Sequence, residues 1–362
     1  MVGAVPSAEK MRSHMAGWKR TTPFILAALV AICACGTETA VRKAVATPSV
    51  SPVALAPPSP SPSPPAAPQA RAIRPAALPR PPAGLPGIGL PLSGPLAYPL
   101  LIQIEDTFPA RPSAGLGAAS VIFEYLTEGN VLRFSALFHR VPGVVGPVRS
   151  ARFVSIYLYQ RLGALMMASG GSHWTYDRIT AARIPAIIND FDHGRHFFRW
   201  NGRVAPHNLY TSQAQMINAA SVGGRPARAD DFLRSSTWPG TVPAASVSVP
   251  SLRSSFAWDG QSYAVTTDGA PQNDVIGGTV HAQAVAVLHV RQWVTNMQED
   301  YTGGMARDFD LASGGAAELY ANGTMVRGRW VASGSTGAIM LLDGTGQPVG
   351  MPPGLLWVAL AL

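Results

Sequence analysis

The stretch VIFEYLTEGNVLRFSALF, residues 121–138, reads as two strands joined by a short turn. Val121–Leu126 and Val131–Phe138 are β-branched and aromatic runs, and Thr127-Glu128-Gly129-Asn130 between them carries turn residues. Phe134, Ala136 and Phe138 alternate with Arg133 and Ser135, which predicts one apolar and one polar face. Toward the N-terminus, Leu101-Ile-Gln-Ile-Glu105 predicts a strand, followed by a loop with a short helix over Arg111–Ala119. Toward the C-terminus, Ser150 is placed to cap a helix running to about Leu162, with Phe153, Ile156, Tyr157 and Gln160 on one side. A buried strand over Ala164–Ala168, a helix from a Ser172 cap through Ala182, a strand over Ala186–Asn189 and a helix over Thr211–Ala220 follow. Alternating strands and helices predict an α/β (mixed α+β) domain over residues 97–245.

From about Val247 the texture changes. Short apolar runs (Gln261–Thr266, Ala284–Val294, Ala317–Tyr320, Thr324–Val331, Ala338–Leu342, Leu355–Leu360) lie among Asp259-Gly260, Asp268-Gly269, Asn322-Gly323 and Asp343-Gly344. Asx-Gly pairs supply the left-handed backbone of tight hairpin turns, so residues 246–362 are expected to form a β-rich, mainly antiparallel domain.

The front of the chain is of another kind. Lys19 and Arg20 precede the apolar run PFILAALVAICA, Pro23–Ala34, which is shorter than the ~20 residues a membrane span needs. A basic flank and a short apolar core make residues 1–34 a signal peptide. Ile32-Cys33-Ala34-Cys35 has the form of a bacterial lipobox, which makes Cys35 the site of diacylation and the mature N-terminus. Residues 35–96 are rich in Pro, Ala and Ser and are expected to be a disordered, extended stalk. Of the 28 basic residues, 9 lie before Ala97 against 2 acids, while the remaining 19, all Arg, face 18 acids. Of the formal charge of +8, +7 therefore belongs to the leader and stalk and +1 to the rest, and a nucleic-acid partner is not expected. The only cysteines, Cys33 and Cys35, precede the Pro-rich segment that begins at Ala44, so the folded part carries no disulfide and no thiolate metal site.

Several motifs then agree in order: Leu101–Glu105, Arg111-Pro112, Gly115-Leu116, Glu124-Tyr125, Glu128-Gly129, Arg133-Phe134-Ser135, Gly146-Pro-Val-Arg149-Ser150-Ala-Arg152, Gly170-Gly171-Ser172 and Pro206-His207-Asn208-Leu209-Tyr210. With Tyr320-Ala-Asn-Gly323, Gly328-Arg-Trp330 and Pro353-Gly354-x-x-Trp357, the chain resembles the YerB-like lipoproteins, the domain-of-unknown-function 3048 family, over most of residues 99–360. The resemblance implies a two-domain, cell-surface lipoprotein and brings no activity with it. The chain departs from the family in its long Pro-rich stalk and in Asp106, where Asn is expected.

Arg149 and Arg152 stand at a helix start, where the positive end of the macrodipole disfavours cations. An anion must be near. It is either a carboxylate of the same domain (Glu105, Glu124 or Glu128) or the phosphate or carboxylate of a ligand held by guanidinium forks and free N–H groups. Ser172, at a turn where α/β sheets bind ligands, is a cap or a ligand contact, and His207 and Asn208 either orient a ligand or tie their loop. As a nucleophile Ser172 would need His207 as base, and it lacks a Gly-x-Ser-x-Gly frame. Arg111, Glu124, Glu128 and Arg133 are second-tier members of the site. Asp190, Asp192, His193 and His196 cluster without the helical spacing of zinc proteases and among Arg195 and Arg199, so no metal and no cofactor is expected. Trp174, Trp200, Trp258 and Trp330 are candidates for a sugar-binding groove.

The reading is a lipoprotein on the extracytoplasmic face of the cell membrane, anchored through Cys35. Its role is that of a non-catalytic binding or envelope-associated module for an anionic or cell-wall ligand. The alternatives are a hydrolase acting on cell-wall glycan or peptide through Ser172 and His207, and an assembly partner that uses strand edges of the β domain. Cys35→Ala is expected to move the protein from the membrane fraction to the soluble fraction and to abolish palmitate incorporation; unchanged fractionation and labelling contradict the anchor.

Overall fold

The computed structural model describes residues 84–189, 195–222, 232–332, 334 and 337–362. The leader, Cys35 and the stalk up to residue 83 lie outside the described residues. Residues 84–96, expected as the end of the stalk, already pack on the folded part: Ser93 N–H donates to the Val141 carbonyl (2.9 Å) and Leu96 N–H to that of His139 (2.8 Å).

The N-terminal half contributes β1 (Leu100–Glu105), β2 (Val121–Leu126), β3 (Leu132–Phe138), β4 (Leu165–Ala168) and β5 (Ala186–Ile188). Its helices are α1 (Phe153–Leu162), α2 (His173–Ala181) and α3 (Gln213–Val222). Strands of the C-terminal half are β6 (Ser246–Val249), β7 (Ser254–Trp258), β8 (Tyr263–Thr267), β9 (Ala284–His289), β10 (Gln292–Gln298), β11 (Met305–Phe309), β12 (Gly315–Ala321), β13 (Thr324–Ala332), β14 (Ile339–Asp343) and β15 (Leu356–Ala361). Seven of these correspond to the six expected runs, because Ala284–Val294 is two strands, the first in the main sheet and the second leaving it; β6, β7 and β11 were not among the expected runs. Asn322-Gly323 makes the β12–β13 turn with φ of +51° and +71°, the left-handed pair that Asn-Gly favours.

Both halves share one sheet of order β14-β13-β12-β9-β15-β2-β3-β1-β4-β5. The hairpins of each half are antiparallel. The chain's last strand, β15, instead runs parallel to β9 on one side and to β2 on the other, in register Leu356↔Ala284 and Leu356↔Val121. Buried on both sides, β15 is apolar throughout (LWVALA), as a central parallel strand must be.

Alternation divides the strands between two cores. Ile102, Ile104, Ile122, Phe134, Ala136 and Trp357 face the smaller sheet of β6, β7 and β8. Leu101, Val121, Phe123, Leu137, Val358 and Leu360 face α1 and the β10–β11 ribbon. The face of β3 expected to be polar carries Arg133 and Ser135, yet both are buried, because α1 covers it. Ser150 is not the cap of α1: Arg152 holds the N-cap position and donates its N–H to Ser155 Oγ (3.1 Å), while Ser150 Oγ donates to the Ser169 carbonyl. Ser172 does cap α2, accepting from Thr175 N–H at 3.2 Å. At α3, Ser212 and Gln215 cap reciprocally, and β-structure persists through Ser212 where helix was expected from Thr211.

Glu124 of β2 ties the two halves, since both of its oxygens meet the C-terminal half. Ser254 Oγ donates to Oε1 and Trp357 Nε1 donates to Oε2 at 2.8 Å. Among the described residues it forms no ion pair, and burial pushes its carboxyl up to about 8, against the pull of those two hydrogen bonds. The neutral acid fits this setting, because the Ser254 hydroxyl has a second acceptor in the Leu252 carbonyl (3.3 Å) and can turn to receive the acid's proton. A carboxyl raised on folding lends stability that is complete below its unfolded value of 4.5 and is lost as pH rises through about 8. Glu124→Gln should therefore match or exceed the wild type at pH ~8 and should flatten its decline from pH ~5 by about 2–4 kcal/mol in denaturant unfolding. A variant with the wild-type pH dependence contradicts a neutral Glu124.

Candidate functional site

The segment Gly146–Arg152 is wedged between the carboxyl ends of the parallel strands β1 and β4. On one side Val148 bridges Ile104, Glu105 N–H donates to the Pro147 carbonyl and Arg149 N–H to that of Gln103, both at 2.9 Å. On the other, Ser169 N–H donates to the Arg149 carbonyl and Ala151 N–H to that of Gly170, again at 2.9 Å. Gly170, at φ +77°, supplies the left-handed turn that leads from β4 to the cap of α2. Strands that part in this way at their carboxyl ends are where α/β sheets open their binding crevices.

The floor comes from β1, β2 and β3. Gln103 Oε1 accepts from Tyr125 Oη (3.1 Å), Ser135 Oγ (2.6 Å) and Ser155 Oγ (2.8 Å), while its buried Nε2 has no acceptor. Arg133 is 2 % exposed; Nη1 donates to the Ser150 carbonyl at 3.0 Å and Nε has no acceptor. Among the described residues Arg133 forms no ion pair. Burial, then repulsion by Arg152 and Arg149, hold it down to about 10 despite the attraction of Glu128, so it remains a cation at neutral pH. Arg149 is 27 % exposed, and its Nε lies 3.4 Å from Glu105 Oε2. Glu105 Oε1 receives Thr107 Oγ1 (2.7 Å) and faces His207 Nδ1 (2.9 Å).

Arg152 is compensated twice. Its Nε donates to Glu128 Oε2 at 2.7 Å and its Nη2 to Glu128 Oε1, a bidentate pair. Burial opposes the charge on Glu128, but Arg152, aided by Arg133, outweighs it and holds the carboxyl down at about 2. Arg152 Nη1 also lies 3.4 Å from Oε1 of Glu299, which follows β10. Glu299 receives Ser172 Oγ on Oε2 (3.0 Å), and on Oε1 Thr175 Oγ1 (3.1 Å) and Ser172 N–H (3.4 Å). Burial raises its carboxyl, with Arg152 and Ser172 opposing.

Of the residues singled out from the sequence, Arg149 and His207 therefore gather around Glu105, Arg133 stands opposite it in the β1–β3 register, and Arg152, Glu128 and Ser172 form the adjoining cluster. Others point elsewhere. Asn208 Oδ1 accepts from Arg199 (2.8 Å), and Arg111 grips Asp106 (2.9 and 2.7 Å) and Asp268 (2.8 Å). Glu124 lies on the opposite face of the sheet. Of the three carboxylates expected to neutralise the arginines, Glu105 and Glu128 do so and Glu124 does not. Ser172 and His207 share no hydrogen bond; one serves Glu299 and the other Glu105. Trp330 is fully buried with Nε1 on the His289 carbonyl, and Trp258 packs on Tyr263, so they line no groove. Asp190, Asp192 and His193 lie outside the described residues. Glu299 was not among the candidates, although Asp300-Tyr-Thr-Gly303-Gly304 after it is a turn signal that places it at a hairpin tip.

Residues 90–224 match the family model described as "Protein of unknown function (DUF3048) N-terminal domain", and residues 245–358 match that of the DUF3048 C-terminal domain. "Putative lipoprotein YerB" of Bacillus subtilis (strain 168) is 27% identical over 274 residues, 72% of this chain and 80% of that protein. The crystal structure of the YerB protein from Bacillus subtilis has the same fold, with a TM-score of 0.63 at 24% identity, covering 76% of this chain and 95% of that chain.

Proposed function

Because the chain belongs to the DUF3048 family through both its N-terminal and its C-terminal domain, we propose that it is a lipid-anchored binding protein of the extracytoplasmic membrane face whose α/β half holds an anionic ligand. The anchor is Cys35, supported by the lipobox and by the lipoprotein name that a relative carries. The stalk after it sets the folded part away from the bilayer, within reach of cell-wall polymers.

One observation carries the ligand reading: Arg133 is a buried cation that forms no ion pair among the described residues, beside the partly exposed Arg149. A guanidinium taken out of water is stable only where its donors are met. Arg133 Nε and Gln103 Nε2, both buried and both without an acceptor, call for the same kind of group. A phosphate or carboxylate seated between Arg133 and Arg149 supplies it, with Glu105 and His207 setting the far wall. The role is binding rather than hydrolysis, since Ser172 has a carboxylate and no imidazole as its partner.

Calorimetric titration of the full-length protein with sodium phosphate is expected to show saturable binding. Arg149→Ala should weaken it by about tenfold or more while leaving the unfolding curve unchanged, because Arg149 is part-exposed and one charge-assisted contact is worth about that much. Equal binding by wild type and variant, or none by either, overturns the anion site.

A further inference from the structure

A cleft of about 410 Å³ lies between residues 90–92, the turn Leu116–Ala118 and the short hairpin in which Asn273–Asp274 pairs with Gly278–Thr279. No anion-site residue lines it, and its volume is within the ~300–1,000 Å³ of small-molecule sites. Leu90, Leu92, Pro142, Ile276 and Val280 supply apolar walls. Leu90 is 51 % exposed, Leu92 47 % and Ile276 38 %, so the rim has apolar area that a ligand can take out of water. The only carboxylate in the lining is Asp274, and no Lys or Arg is among the lining residues. Asp274 is 5 % exposed and forms no ion pair among the described residues. Its Oδ1 accepts from Gly115 N–H (3.0 Å) and Ile276 N–H (2.9 Å), and its Oδ2 from Gly117 N–H (2.8 Å). Burial raises its carboxyl, against the N–H groups of Ile276, Gly117, Gly115 and Leu116. Each carboxylate oxygen offers about two acceptor positions, so Oδ2 keeps one for a further donor. Gly117 leaves the way to it clear: a Cβ there would stand 3.6 Å from Oδ2 with no other neighbouring group within 4 Å. His281, also in the lining, has its Nδ1 3.1 Å from Asp259 Oδ2, so a charge on that imidazole is answered and the cleft stays negative.

A buried carboxylate without a cation, facing an apolar cleft across a missing side chain, sets the chemistry of what fits there. We propose that the cleft binds a small organic cation, an ammonium group carried on an apolar body. The ammonium donates to Asp274 Oδ2, and the body covers Leu90, Leu92 and Ile276. Both halves of the chain build the site: the carboxylate and Ile276 come from the C-terminal half, Gly117 and the two leucines from the N-terminal half. It is independent of the anion site and takes the opposite charge.

Calorimetric titration of the full-length protein with phenethylammonium chloride, 2-phenylethanol and sodium phenylacetate compares one aromatic body under three head groups. The ammonium should bind saturably, the alcohol about tenfold more weakly and the carboxylate not at all, since a charge-assisted contact is worth about that factor. Gly117→Ala, whose methyl sits in ordinary contact with Oδ2, should weaken the ammonium about tenfold and leave the unfolding curve unchanged. If that variant does not fold, Leu90→Ser with Leu92→Ser, at two half-exposed positions, should weaken the ammonium and the alcohol alike. No binding of the ammonium, equal binding of the three probes, or ammonium binding untouched by whichever variant folds overturns the inference.

Discussion

The parallel pairing of Leu356–Ala361 with β2 and β9 joins the halves of this protein, and it brings the C-terminal half's Glu299 to the site. The chain's last strand lies in the middle of its largest sheet, so neither half has a finished core until the C-terminus is in place. Trp357 packs edge-on against Phe134 and donates to Glu124, while Leu356, Val358 and Leu360 complete the core under α1. Because β15 fixes the C-terminal sheet against β2, the β10–β11 ribbon lies over α1 and the Glu128 turn. Tyr157 Oη donates to Asp308 (2.8 Å) and Arg307 to Asn130 (2.8 Å), which hold the ribbon there. Glu299 arrives beside Arg152 as a consequence.

The charges in this region are unevenly matched. Arg152 has two carboxylates, one bidentate, and shares its surroundings with a helix N-terminus that Ser172 already caps. Arg149 has one carboxylate at long range and a face open to solvent. Arg133, the most deeply placed of the three, has none among the described residues. A buried ion pair gains little over an apolar replacement, but a buried charge without an ion pair is costly, and this cost is what supports the proposed anion. The opposite solution appears on the other face of the sheet, where Glu124 forms no ion pair among the described residues and is held as a neutral acid by Ser254 and Trp357.

Local pattern was enough for much of this fold. The alternation of Phe134, Ala136 and Phe138, the Asn322-Gly323 turn and the Ser172 cap depend on neighbours within a few residues, and each stands where the sequence put it. Partnership over long range was not legible. The apolar run LWVALA says that β15 is buried, but not that it runs parallel between strands more than 60 residues and more than 200 residues away. Arg133 and Ser135 announce a polar face, yet whether water or α1 covers that face depends on packing. For the same reason Arg149, Arg152 and Ser172 could be read as wanting an anion, whereas the carboxylate that answers Arg152 and Ser172 comes from 127 residues further along.

An anion held by Arg133 and Arg149, as proposed, would be felt first at their own N–H groups. Nitrogen-15 spectra of the arginine Nε–H groups test it most directly, because they observe the unmatched donor itself. On addition of sodium phosphate the Arg133 and Arg149 resonances should shift together along one saturation curve, while that of Arg111, already held by Asp106 and Asp268, stays in place. An Arg133 resonance that does not move when phosphate is added contradicts the account.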